Sequence, residues 1–99
     1  MTKLFPLGLL VQTPGVEQAV DFGHLLMCLA RHVSGDWGEV DAHDAAANVA
    51  ALKDGSRILS VYFIDELGSP ARGKFWIITD AVGEGGQRAV TTVLLPEEY

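Results

Sequence analysis

The chain has 99 residues, 13 acidic and 7 basic, for a net charge of −6, and 48% of its residues are hydrophobic. That length suits one domain with its own core, and it holds no run of about 18 apolar residues that would cross a membrane. The carboxylate excess and the scattered Lys and Arg argue against direct nucleic-acid binding, which needs concentrated cations.

Cys28 is the single cysteine, so no internal disulfide forms, which fits a reducing cytoplasm. The opening Met1-Thr2-Lys3-Leu4-Phe5-Pro6-Leu7 lacks a small-residue cleavage site, so no signal peptide is expected.

Leu4 to Gln12 is short and apolar and reads as a buried strand, with Pro6 and Gly8 pointing to an edge or a bulge. Thr13 caps a first helix, and Pro14 suits its first position. Asp21 caps a second helix, in which Phe22, Leu25, Leu26, Leu29 and Val33 recur at helical spacing as one buried stripe. His24, Arg31 and His32 fall beside or opposite that stripe, and Gly35 ends the helix. Asp41 caps a third helix with Asp44 in its first turn. Ala45, Ala46, Val49, Ala50 and Leu52 give it a small-residue packing face, and Gly55 stops it.

From Arg57 the period becomes two. Arg57–Ile64, Lys74–Ala81 and Arg88–Leu95 read as strands, and 65–73 and 82–87 as loops. Leu59, Val61 and Phe63 share one face of the first strand, and Ile58, Ser60, Tyr62 and Ile64 the other. Both faces are apolar, so helices cover one and a partner or a second copy suits the other. If Trp76 lies on the uncovered face, it forms an apolar patch with Ile78 and Tyr62. The expected fold is a single α+β domain over residues 1–99. It has an N-terminal strand, two or three helices, then a three-stranded antiparallel meander packed on the helices.

Two blocks of sequence are familiar in their order. One runs Arg31-His32-Val33-Ser34-Gly35-Asp36-Trp37-Gly38-Glu39-Val40, then Asn48, then Ala51-Leu52-Lys53-Asp54-Gly55-Ser56-Arg57-Ile58-Leu59-Ser60-Val61-Tyr62. The other is Phe75-Trp76-Ile77-Ile78-Thr79-Asp80 followed by Thr91-Thr92-Val93-Leu94-Leu95-Pro96-Glu97-Glu98-Tyr99. Across most of Val11–Tyr99 the chain resembles a family of short uncharacterised proteins from plasmids, phages and bacterial chromosomes. It departs from that pattern in longer loops at 65–73 and 82–87 and over 20–28. The family carries no established activity. The resemblance implies a mobile-element context, which favours accessory proteins such as inhibitors of host defence or toxin–antitoxin components.

Two functions compete at this level. The leading one is an acidic accessory protein that binds a protein with a basic surface, inhibiting a host defence or nucleic-acid-handling complex in the manner of an anti-CRISPR or anti-restriction protein. Its candidate contacts are Asp36, Trp37, Glu39, Asp41, Asp65, Glu66, Glu84, Glu97 and Glu98. The rival is a ribonuclease or toxin of the barnase–EndoU–RelE type. There His32 would move the proton and Arg57 would stabilise the phosphate, with Tyr62, Thr79 and Thr92 beside them.

His32 and Asp36 are also close enough in sequence for a carboxylate–imidazole pair, or for separate roles at the helix end. Neither cofactor nor metal is expected. Asp41, His43 and Asp44 do not converge on a helix, and capping accounts for both aspartates. Cys28 reads as a small core residue, and Gly83-Glu84-Gly85-Gly86 lacks the Lys-Ser/Thr ending of a phosphate cradle.

Overall fold

The computed structural model describes residues 3–99. Strand β1 is Leu9–Gln12, followed by helices α1 (Pro14–Ala19), α2 (Phe22–Val33) and α3 (Ala42–Asp54). Strands β2 (Ile58–Phe63), β3 (Lys74–Thr79) and β4 (Val90–Leu94) complete the fold, with short 3-10 turns at Pro70–Arg72 and Pro96–Glu98. The helix starts follow the sequence. Thr13, Asp21 and Asp41 each accept a backbone N–H three residues on, from Val16, His24 and Asp44.

β2, β3 and β4 form the expected antiparallel meander, but they are three strands of a mixed four-stranded sheet ordered β1-β4-β3-β2. β1 runs parallel to β4, with Leu9 opposite Val90 and Gln12 opposite Val93. The expected strand from Leu4 keeps only its last four residues, and all four are exposed rather than buried. Gly8 breaks it, at φ +65°, where a Cβ would sit 2.4 Å from the Ala89 carbonyl oxygen.

The outer edge of β2 is closed off. The Trp37 carbonyl accepts from the Val61 N–H at 3.1 Å, and the Glu39 N–H donates to the Val61 carbonyl at 2.7 Å. Gly38 permits this approach, because a Cβ there would lie 2.0 Å from the Val61 oxygen. The buried Asn48 amide donates to the Leu59 carbonyl at 2.7 Å and accepts from the Leu59 N–H at 3.1 Å. Asn48→Ala leaves both groups unpartnered, so a denaturant melt should show a loss of about 2 kcal/mol. Asn48→Asp should cost more, because it sets a carboxylate against the carbonyl.

The helices cover one face of the sheet. Val16, Val20, Leu25, Cys28 and Leu29 pack on Tyr62, Ile64, Phe75, Ile77 and Val93, while Phe5, Trp37, Ala51 and Ile58 form a second cluster. Two expected helix faces shift. Phe22 and Leu26 are exposed, so the buried side of α2 is Leu25, Cys28, Leu29 and His32. In α3 the buried residues are Asn48 and Ala51, and Ala46, Val49 and Ala50 face outward. Alanine is apolar enough for either side, so the sequence pattern of α3 is nearly uniform, and packing chose the face.

The other sheet face carries Leu59, Val61, Phe63, Trp76, Ile78, Thr92, Leu94, Val11 and Leu9, by the pairing register. Tyr62 points to the helix side, so it is not part of a patch with Trp76 and Ile78. Its hydroxyl donates to the Asp36 carbonyl at 2.7 Å. Tyr99 comes back across the open face instead. Its ring meets Trp76 edge-on at 5.5 Å, and its hydroxyl accepts from Arg57 at 2.9 Å.

Candidate functional site

Between the two apolar clusters runs a buried polar chain. His32 is fully buried, with Nδ1 2.5 Å from Ser60 Oγ and Nε2 2.9 Å from Thr79 Oγ1. Thr79 Oγ1 is 2.7 Å from Thr91 Oγ1, which donates to the Leu7 carbonyl at 2.7 Å. That last bond orders every proton behind it. Thr91 spends its hydrogen on Leu7, so it accepts from Thr79. Thr79 in turn accepts from His32 Nε2–H, and Ser60 O–H donates to the bare Nδ1. The chain thus fixes a hydrogen on Nε2, and a depressed pKa keeps Nδ1 bare, so the imidazole is neutral and in a single tautomer. Burial first, then the Arg88 charge, depresses its pKa from 6.5 to about 4.

Of the residues of the ribonuclease reading, His32 and Thr79 meet, at 2.9 Å inside the core, and Arg57, Tyr62 and Thr92 do not join them. His32 lies in the core with Ser60 and Thr79, Arg57 is exposed beside Tyr99, Tyr62 is buried under α2, and Thr92 is on the opposite sheet face from His32. No carboxylate–imidazole pair forms either. Asp36 binds Arg31 in a two-pronged ion pair, at 2.8 and 3.2 Å, and also accepts the Gly38 N–H. The Arg31 guanidinium beside it holds the Asp36 carboxyl below the usual carboxylate range.

The candidate partner contacts divide into free and committed side chains. Trp37 is buried against Phe5 and His32, so it plugs the core from its loop and is not presented to a partner. Asp41 caps α3, and Asp65 is half-buried and accepts the Leu67 N–H at 2.7 Å. Glu98 is exposed but structural, because it accepts from Thr13 Oγ1, the Gly15 N–H and the Leu95 N–H. It ties the C-terminal turn to the start of α1, and those hydrogen bonds, the Thr13 hydroxyl foremost, lower its pKa. Glu39, Glu66, Glu84 and Glu97 are exposed, as is the paired Asp36.

One surface groove collects several of these features. It encloses about 500 Å³ and is lined by Asp21, Gly23, His24, Met27, Cys28, Arg31, Glu66 and Leu67. Two carboxylates stand at its rim beside the exposed side chains of Met27 and Leu67. The buried Cys28 thiol at its floor has its pKa pushed up to about 11 by desolvation, so it stays protonated and unreactive.

The arginines are occupied within the fold. Arg31 is paired with Asp36, Arg57 with the Tyr99 hydroxyl, and Arg72 with the Ala19 carbonyl at 2.6 Å. Arg88 is buried and donates to the carbonyls of Ser56, Asp80 and Ala51. All four arginines of the chain are thus bound to its own acceptors.

Among the described residues, no three His, Cys, Asp or Glu side chains converge to hold a metal, and no helix is long and apolar enough to cross a membrane. Sequence reasoning missed the inward-facing Arg88 and the His32 chain. The only trace of the latter was three hydroxyl residues, Ser60, Thr79 and Thr91, on the buried parity of their strands. Comparison with known protein families, with curated proteins and with solved structures found no match.

Proposed function

We propose that the protein works by binding another protein, as a small acidic accessory protein of a mobile element acting in the cytoplasm. Its target is a basic surface on a host defence or nucleic-acid-handling complex, and the outcome is inhibition of the anti-CRISPR or anti-restriction kind. The observation that carries this reading is the distribution of charge. Every arginine is tied to an acceptor of its own fold, while Glu39, Glu66, Glu84 and Glu97 are exposed. A surface of this kind attracts lysine- and arginine-rich grooves and repels phosphates. The groove at Asp21, Glu66, Met27 and Leu67 adds apolar contact beside two carboxylates, which suits a basic segment with an apolar side. The resemblance to plasmid and phage proteins supplies the biological setting.

Affinity capture from a bacterial host, followed by mass spectrometry, tests this directly. The wild type should retain a nucleic-acid-binding complex that competing nucleic acid and raised salt release. Glu66→Lys together with Glu84→Lys, both at exposed carboxylates, should lose it while remaining folded. Recovery of no such complex, or equal recovery by the charge-reversed variant, would overturn the reading.

A further inference from the structure

The two edges of the sheet are treated differently. On the outer edge of β2, the groups of Leu59 are held by Asn48, those of Val61 by Trp37 and Glu39, and the Phe63 carbonyl by His24 Nε2 at 2.9 Å. β1 forms the other edge and has no such cover. Leu9 and Thr13 donate to the Ala89 and Val93 carbonyls of the β4 side, so the alternate residues Leu10 and Gln12 turn their N–H and C=O groups outward. Among the described residues, no hydrogen bond reaches those groups.

β1 is short, at four residues, but lacks two other devices that protect an edge. Leu9–Gln12 holds no charge and no proline. Beside it lies a cleft of about 160 Å³ lined by Leu10, Val11, Gln12, Phe22, Leu25 and Val93. Large apolar residues are exposed at this edge, Leu9 at 65%, Phe22 at 64%, Leu10 at 41% and Val11 at 37%, and Leu26, one turn along α2 from Phe22, at 48%.

We propose that the protein forms a twofold-symmetric dimer through β1, joining two four-stranded sheets into one of eight strands. The register is set by the outward-facing groups. Leu10 pairs with Gln12 of the second copy and Gln12 with its Leu10, giving four backbone hydrogen bonds about a dyad at Val11. This antiparallel pairing maps the strand onto itself, which is why a second copy fits it without any further feature. On the helix side, Phe22 and Leu26 of each α2 come toward the dyad. On the open side, Leu9 and Val11 extend the apolar sheet face across it.

The exposed apolar side chains and the two strand edges together remove on the order of 1,000 Å² from water, about the threshold of a specific interface. An interface of that size corresponds to weak association, roughly in the micromolar range. The strand itself is uncharged while each copy carries −6, so added salt tightens the dimer by screening the repulsion. The proposal does not depend on the identity of any partner protein.

Sedimentation of the full chain over a micromolar concentration series tests the dimer. The wild type should pass from monomer to dimer, at lower concentration in higher salt. Val11→Lys sets two ammonium groups at the dyad, and Phe22→Lys changes only an exposed helix position. Each should raise the dissociation constant at least about tenfold with an unchanged circular dichroism spectrum. Leu67→Lys, at a residue 92% exposed outside the cleft, should leave it unaltered.

Hydrogen exchange supplies a second readout that does not rely on substitution. The amides of Leu10 and Gln12 should gain protection as concentration rises. A wild type that stays monomeric throughout overturns the proposal, even if the edge accepts a strand from another protein. So does a dimer that survives both β1-side lysines, or one in which the two amides remain unprotected.

Discussion

The stability of this protein is expected to fall by about 3 kcal/mol as pH drops from 6.5 to 4, because of His32 alone. In the folded chain the imidazole is neutral, with its pKa depressed to about 4 by burial and by Arg88. In the unfolded chain it titrates near 6.5. Between those values the unfolded state takes up a proton that the folded state refuses, so acid favours unfolding. The contribution is fully present above pH 6.5 and is lost progressively down to about 4. The hydroxyl chain explains why the fold resists the proton. A protonated Nδ1 would face Ser60 donor to donor, and reversing Ser60 would gain a bond only at the cost of a buried charge.

Denaturant melts across this pH range measure the slope. His32→Gln keeps a neutral donor and acceptor in place, and should remove the part of the slope that belongs to the imidazole. Nitrogen chemical shifts of the ring should show Nε2 protonated and Nδ1 bare well below pH 6. A His32 that takes its proton near pH 6.5 would contradict this account. Below about pH 4.5, Glu98 and Asp36 add losses of the opposite chemical type. Their pKa values are lowered in the fold, so their stabilisation is present above the unfolded values and vanishes as they are protonated.

Replacing Arg88 with methionine should destabilise the fold by about 4 kcal/mol, a large share of what a domain of this size holds. The guanidinium is buried and fills a space where three carbonyl oxygens converge: Ser56 and Asp80, at 2.7 and 3.0 Å from one nitrogen, and Ala51, at 2.9 Å from the other. It also lies 5.7 Å from the centre of the Phe5 ring. Ala51 belongs to the last turn of α3, where its carbonyl also accepts the Gly55 N–H at 3.0 Å and a cation is favourable. One side chain thus ties together the end of α3, the entry to β2 and the exit from β3.

Methionine restores the apolar volume but leaves the Ser56 and Asp80 oxygens without the guanidinium, and the Ala51 oxygen with the Gly55 N–H alone. Arg88→Lys should recover less than half of the loss, because an ammonium cannot present the planar fork to three acceptors. Thermal melts should place Arg88→Met about 20 °C below the wild type, with Arg88→Lys between them. A methionine variant within a few degrees of the wild type would show that the three carbonyls find other donors.

Much of the local structure was legible because its causes are local. Thr13, Asp21 and Asp41 announced three helix starts, and each side chain accepts the expected N–H. The period-two runs announced β2, β3 and β4 and grouped Ile58, Ser60 and Tyr62 on one face, but only the structure showed that this face is the buried one. The limits of reading appear at residues whose roles depend on distant partners. Arg88 read as the polar start of a strand, since nothing near it in sequence marks the Ser56, Asp80 and Ala51 carbonyls. His32 read as a surface residue or a proton carrier, because its Ser60 and Thr79 partners are 28 and 47 positions away. Phe22 and Leu26 fit a buried stripe by spacing, yet the stripe is wider than the surface α2 covers.

By itself the sequence determined the α+β layout, the helix caps, the antiparallel order of the last three strands and the acidic surface. Each follows from side-chain chemistry within a few residues or from composition. Only the tertiary structure decided that β1 lies parallel to β4 at an open edge, that His32 and Arg88 turn inward, and that Trp37 plugs the core. Those outcomes depend on which backbone groups and cavities remain unsatisfied once the layers have packed. No local pattern encodes that requirement.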